Sequence, residues 1–337
     1  MNENFLHALL GSISVSGYEE PVQDIVEEEM KDYVDEIHRD EMQNLTCILN
    51  PDSDVKIMLS AHADEIGLMI SNIREDGRLQ VIDRGGIVPA TYPGQQVRIR
   101  TSNGEVYGVV EAYRNLFKEE KLETRHFLID IGAKDREDAL KYVNLGDPCG
   151  YRGEYLELHN DRVCSKSLDN RIGCYQLLEA LKENDGTYPN DIYYVFCVQE
   201  ELGCRGSKTA AERIQPDIGI AVDISPAHDY PCDLEGSNEV DGGIGVKICD
   251  PSVVCDEDVV EAMYKCCEEN HIPYQREVID QGGTDASSMN QSHYGVRTGG
   301  IVVVTRYPHC QSAVASKKDI EAGVDLMNAF SKYTFKF

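Results

Sequence analysis

A chain of 337 residues with 41% hydrophobic content is long enough to bury a substantial core, in one large domain or two ordinary ones. Its 60 acidic residues against 32 basic ones leave a net charge of −28 spread along the chain, and a surface this negative repels phosphate backbones, which excludes nucleic acid as an expected partner. No apolar run approaches the roughly 18 residues of a membrane span, the acidic start "MNENFLHALLGSIS" does not read as a targeting segment, and twelve cysteines without a CxxC pair read as free thiols in a reducing, cytoplasmic compartment.

From the N-terminus, "YEEPVQDIVEEEMKDY" spaces Val22, Ile25, Val26 and Met30 for an amphipathic helix with an acidic outer face. The strand-like runs "NLTCILN" and "VKIMLSAHAD" follow. After Ile73 the texture changes to short β-prone runs broken by Gly, Pro and Asn-Gly turns, which predicts a hairpin-rich module that ends near Val163 and carries one helix, "DREDALKYV". From Lys166 helical and strand patterns alternate through "NRIGCYQLLEALKEN", "IYYVFCV", "GSKTAAERI", "IGIAV", "DEDVVEAMYKCCEENH", "IVVVT" and "KDIEAGVDLMNAFSKYT". That order predicts an α/β/α sandwich. Residues 1–72 and 164–337 are therefore expected to form one discontinuous α/β domain, with 73–163 inserted into it as a small β-rich domain.

Four buried-looking strands end in side chains able to hold metal. "IMLSAHAD" ends in His62 and Asp64, "IYYVFCV" runs into Glu200 and Glu201, "IGIAV" into Asp223, and "IVVVTRYPH" into His309. In open α/β sheets ligands bind beyond the carboxyl ends of the strands, where these groups would gather. Asp169, just ahead of the helix beginning near Asn170, is a fifth candidate. Singly, a strand-end His is more often a hydrogen-bonded structural residue and an Asp before a helix is more often its cap. Together they are harder to dismiss, because so many carboxylates cannot share a buried place without cations. Two His, two Asp and one Glu supply three protein ligands to each of two divalent ions if one carboxylate bridges. Zinc suits the set first, with cobalt or manganese as alternatives. Asp64 lies two residues from His62, on the same face of an extended strand, and can orient the site instead of ligating. Glu200 and Glu201 diverge if the chain stays extended there, so one can bind metal while the other takes a proton.

At these residues the sequence resembles the M42 metallo-aminopeptidases, the TET or glutamyl/deblocking type. The matching pieces are "SGYEEPV", "AHADEIGLM", "SLDNRIG", "VQEELGCRGS", "AVDIS", "GGTDAS" and "TRYPH", in family order over nearly the whole chain. The resemblance implies that His62 and Asp223 bind one metal, Glu201 and His309 the other, and that Asp169 bridges them, with Glu200 as general base and Asp64 as the partner of His62. It further implies a zinc-peptidase type of α/β/α domain with a PDZ-like insertion, peptide substrates with a free N-terminus, and a homo-oligomer up to a tetrahedral dodecamer. Two departures stand out: Cys310, Gln311, Ser312 and Ala313 follow His309 where the family often has Ser-Pro and a carboxylate, and Gln43 stands where a Gly-Asn pair is common.

Thr284 or Asp285 in "GGTDAS" are candidates for the substrate pocket, beside the plainer reading of a tight turn capped by Asp. Arg306 is a candidate anchor for a terminal carboxylate, as a carboxypeptidase or deacylase would need. A glycosidase using Glu200 and a second carboxylate is the rival among other enzymes, weakened by the absence of Trp. A metal-stabilised assembly protein is the non-enzymatic one. Cysteine ligation by Cys197, Cys204 or Cys310 is disfavoured because thiolate ligands normally come in closely spaced pairs.

Overall fold

The computed structural model of the chain describes residues 1–119, 121–232 and 235–335. The first third contains α1 (Glu3–Gly11), α2 (Glu20–Met30), β1 (His38–Arg39), β2 (Leu45–Leu49), β3 (Lys56–His62), β4 (Gly67–Ile73), β5 (Leu79–Arg84), β6 (Gln96–Thr101) and β7 (Gly104–Val110). The middle adds β8 (Leu128–Asp130), α3 (Arg136–Ala139), β9 (Pro148–Tyr151), β10 (Leu156–Leu158), β11 (Arg162–Ser165), α4 (Leu168–Glu183) and β12 (Asp191–Cys197). The last part holds α5 (Arg205–Ile214), β13 (Ile218–Pro226), β14 (Ile244–Asp250), β15 (Val253–Val254), α6 (Glu257–Asn270), β16 (Tyr274–Val278), α7 (Ala286–Asn290), β17 (Arg297–Thr305), β18 (Ala313–Ser316) and α8 (Lys317–Ser331).

The main sheet runs in the order β1-β2-β12-β3-β13-β17-β14-β15, with β16 paired to β14. Its centre, β12-β3-β13-β17, is parallel. These strands read as continuous apolar runs because both faces are covered. Alternate residues go to opposite sides: Ile57, Leu59 and Ala61 join the large core under α1, α2, α4, α6 and α8, while Met58 joins a smaller one under α5 and α7. The same alternation splits Ile192, Tyr194 and Phe196 from Val195 and Cys197. Helices on both faces of one sheet make the expected α/β/α sandwich.

Strands β4 to β9 close into a six-stranded barrel, ordered β4-β5-β8-β7-β6-β9, around a core that includes Leu68, Val81, Tyr92, Ile99 and Phe127. Closure removes the sheet edges that a row of hairpins would leave exposed. The helix expected over "DREDALKYV" shrinks to Arg136–Ala139, capped by Asp135; after Leu140 the amides of Lys141 and Tyr142 reach back three residues instead of four, and the regular helix ends. The elements α1, β14, β16 and α7 went unread in the sequence, α1 despite the helical spacing of Phe5, Leu6, Leu9 and Leu10.

The centre of the sheet also opens a crevice. Strands β3 and β13 pair only through Ile57–Ser60 and Ile218–Ala221, whereas β13 stays paired with β17 up to Pro226 and Thr305. Past Ser60 the chains separate, and the groups carried by β3 and β13 there face a gap outside the carboxyl end of the sheet.

Candidate metal centre

His62 is the last residue of β3 and stands in that gap, its side chain only 2% exposed. Asp223 lies across from it. The sequence reading put Asp223 at a strand end, but β13 runs on to Pro226 because its pairing with β17 continues; it is β3 that stops short. His62 Nε2 lies 3.6 Å from Asp223 Oδ1 and 3.0 Å from Asp169 Oδ1. The other oxygen of Asp169 lies 3.1 Å from Nε2 of His309, and Glu201 Oε1 is 3.3 Å from the same nitrogen. One carboxylate thus divides its two oxygens between two imidazoles. Glu200 approaches only the His62 side, with Oε2 3.9 Å from Nε2.

The two adjacent glutamates diverge, though not by the expected extended geometry. The chain leaves β12 at Cys197, Gln199 takes a left-handed φ of 55°, and the amides of Gly203 and Cys204 turn back onto the Glu200 carbonyl. Asp64 holds this turn. Its Oδ1 accepts the Glu200 amide at 3.0 Å and its Oδ2 the Glu201 amide at 3.1 Å, while Ser16 Oγ donates to Oδ2 at 2.5 Å. Oδ1 also lies 3.3 Å from His62 Nδ1. Glu19 completes the clamp by accepting the Gln199 amide at 3.0 Å. Gly206, in the same motif, is required by crowding: a Cβ there would sit 2.4 Å from the Val198 carbonyl oxygen.

Asp169 is presented by a second irregular turn at the head of α4, where Asp169 and Asn170 are not helical and the peptide between them is cis. It is no helix cap. A buried network fixes the residues before it: Lys166 Nζ donates to Glu65 Oε2 at 2.6 Å and to Ser167 Oγ at 3.0 Å, and Ser167 Oγ in turn bonds Glu65. Asn170 Nδ2 donates to the Val222 carbonyl, tying this turn to the residue beside Asp223.

His309 stands beyond β17 on a loop, with a left-handed φ of 58° and a side chain 30% exposed. No acid backs it. Its Nδ1 instead donates to the carbonyl of Gly86, in the loop following barrel strand β5, at 2.6 Å. Cys310 is not among the described residues whose ligand atoms converge; Cys204 is, in a second group with Glu200 and Asp285, and its Sγ donates to Glu200 Oε1 at 3.2 Å.

The electrostatics identify what the place lacks. Five carboxylates, of Asp64, Asp169, Glu200, Glu201 and Asp223, surround two imidazoles. Burial opposes charging of His62, yet the bonds from Asp169, Asp223 and Asp64 raise its pKa well above the ordinary value; His309, by the same contest against Glu201 and Asp169, is pushed up to about 12. Burial likewise raises Glu200, Glu201 and Asp223, with neighbouring carboxylates adding to it. Asp169 goes the other way, because His309 and His62 outweigh its burial and hold it well below the usual carboxylate range. A cluster whose carboxylates draw charge onto both imidazoles, while burial and mutual repulsion still raise the pKa of three of those carboxylates, calls for more positive charge than its own residues supply.

The remaining candidates separate. Thr284 lines the 540 Å³ cavity beside the cluster. Asp285 lies beneath it, its oxygens taken by Ser207 Oγ at 2.5 Å and Ser60 Oγ at 3.3 Å, and it does not cap α7. Arg306 is not part of the cavity wall; Asp229 engages its guanidinium through two bonds of 2.8 and 2.6 Å. Sequence reasoning missed Ser16, Glu19, Glu65, Lys166 and Gly86. "SGYEEPV" contains two of these, and the Gly85-Gly86 pair was a readable sign of close backbone approach.

The family model for the M42 glutamyl aminopeptidases matches residues 44–326. A protein of Acetivibrio thermocellus whose name assigns it provisionally to the aminopeptidases is 40% identical, the match covering 96% of each chain. A lysyl aminopeptidase of Pyrococcus furiosus is 33% identical over 95% of this chain and 94% of its own. Among solved structures, a Pyrococcus horikoshii TET1 peptidase, described as assembling into a tetrahedron or a large octahedral shell, superposes with a TM-score of 0.89 at 29% identity, covering 98% of both chains.

Proposed function

Because the chain belongs to the M42 glutamyl aminopeptidase family and is a peptide hydrolase, we propose that the cluster is its active centre and binds two divalent ions. The observation that carries this is the division of Asp169 between His62 and His309. His62, Asp223 and Asp169 would hold one ion, and His309, Glu201 and Asp169 the other. The donor set fits: imidazole nitrogens and carboxylate oxygens suit zinc, with cobalt or manganese also accommodated, and the surplus of carboxylates matches the added charge. When bound, the ions supply Lewis acidity that acidifies water and polarises the scissile carbonyl.

The chain's residues do the rest. Glu200 stands free of both imidazole pairs and, with a pKa raised first by burial and then by Glu201 and Asp223 against the opposing charge of His62, suits the transfer of a proton from attacking water to the leaving amine. Asp64 fixes the His62 ring and the backbone of both glutamates. Thr284 lines the space for the bound peptide. The substrates are peptides with a free N-terminus, whose cationic amine suits the acidic surroundings. A carboxypeptidase is disfavoured because Arg306 is committed to Asp229. The inserted domain expected over 73–163, which the barrel extends back to β4 at Gly67, mediates homo-oligomer formation, with the tetrahedral dodecamer as the expected state, in a cytoplasmic setting; no helix among the described residues is long and apolar enough to cross a membrane.

Two measurements test this reading. Stripping the protein with a chelator should abolish hydrolysis of aminoacyl amides, and zinc, cobalt or manganese should restore it. Glu200→Gln should lower turnover by roughly 10²–10⁴-fold with two ions per chain retained. Chelator-insensitive activity, as a glycosidase would show, or normal turnover by the variant would refute it.

A further inference from the structure

The cavity beside the cluster has a second wall that the chemistry of the bond does not use. It is built by Ile224, next to Asp223 on β13, by Pro226, by Ile279 after β16, and by Val88 and Pro308 at the mouth. Ser252, Gln281, Thr284 and Ser287 add polar but neutral groups. Apart from the cluster residues themselves, no described side chain on this wall is charged.

The charges behind the wall are already spoken for. Asp250 lies beneath Ser252 and Gly283, where its Oδ1 accepts the Ser252 amide at 2.7 Å, the Ser252 hydroxyl at 2.6 Å and the Val253 amide at 3.1 Å. Its Oδ2 faces Lys247 Nζ at 3.2 Å, and Lys247 also donates to Glu277 at 2.9 Å. Asp285 is bound by two serine hydroxyls. By contrast, Thr284 Oγ1 is buried and has no partner, which leaves it free to bond a bound peptide.

We infer that this wall receives the side chain of the substrate's first residue and selects an uncharged aliphatic one, such as leucine or methionine, over lysine or glutamate. The inference rests on the placement of the active centre given above. Burying aliphatic surface against Ile224, Pro226 and Ile279 is favourable. A lysyl ammonium would leave water without finding a free carboxylate on this wall, because the acids behind it are already paired with Lys247 and with serine hydroxyls. A glutamyl carboxylate would find no lysine or arginine on this wall and would lie beside a carboxylate-rich cluster. The preference thus differs from the lysyl and glutamyl activities named for the relative and the family.

The test uses the full chain loaded with metal and leucyl, methionyl, lysyl and glutamyl amidomethylcoumarins. Leucyl and methionyl substrates should show kcat/KM about 10- to 200-fold above the other two. A lysyl or glutamyl substrate cleaved as fast as the leucyl one overturns the inference while leaving the active centre intact. Failure to cleave any of the four with any of the metals refutes the active centre, and the inference falls with it. Ile279→Glu should raise the lysyl-to-leucyl ratio about 10-fold or more, and Ile279→Ala should lower leucyl cleavage without raising lysyl, with bound metal unchanged in both. Ratios that do not move in either variant show that Ile279 does not line the selecting pocket.

Discussion

The two halves of the cluster are built differently. His62 ends a central strand, is sealed from solvent, and is held by Asp64, which is itself bound to Ser16 and to two backbone amides. His309 sits on a loop past its strand, is 30% exposed, and is backed by one carbonyl from the barrel. Groups with similar ligand chemistry therefore stand on unequal supports. The supporting partner of a metal-binding His commonly changes affinity by 10–100-fold, so the ion on the His309 side is expected to be the one exchanged first.

That asymmetry can be broken from either side. Asp64→Asn should have the largest effect, weakening retention of the His62-side ion by about 10–100-fold and lowering activity at least as much, because the turn carrying Glu200 and Glu201 keeps only one of its two acceptor oxygens; metal titration and an activity assay read the two effects. Gly86→Ala is gentler. A Cβ at this position would lie 2.9 Å from the His309 ring, so the ring must shift, and the second ion alone should weaken by about 10-fold. Equal weakening of both ions would show that the halves are not independent.

A third prediction concerns the clamp on the rigid half. Burial, and after it the charge of Asp64, raises Glu19 from 4.5 to about 7. A carboxyl that binds its proton more tightly when folded contributes stability that is complete below about pH 4.5 and lost as pH rises through 7. This loss amounts to about 3 kcal/mol. Glu19→Gln should flatten the dependence of the melting temperature on pH across that window; an unchanged slope would assign the effect elsewhere. The smallest effect belongs to Gln43, held at a left-handed φ of 77° in the turn before buried Asn44. Gln43→Gly should stabilise by about 0.5–1 kcal/mol in chemical denaturation, leaving metal content untouched.

The contrast also explains what could be read from the sequence. The layer order was legible because buried parallel strands and amphipathic helices carry strong periodic patterns, as in "IYYVFCV" and "DEDVVEAMYKCCEENH". His62, Glu200 and Glu201 announced themselves as polar groups set against such runs. The supports did not. Ser16, Glu19 and Gly86 act through single hydrogen bonds spanning 48, 180 and 223 residues of sequence, and no local spacing encodes so distant a contact. The closed barrel was hidden for a similar reason: its strand order, β4-β5-β8-β7-β6-β9, joins β4 to β9, and only their pairing distinguishes a barrel from a row of hairpins.

The bond between Gly86 and His309 also links two hydrophobic cores, since Gly86 belongs to a barrel loop and His309 follows β17 of the sandwich. Whatever immobilises the His309 ring makes that link rigid, and whatever frees the ring makes it slack. In calorimetry the cation-loaded chain should accordingly melt as one cooperative unit, while the chelated chain should show the barrel and the sandwich parting into separate transitions.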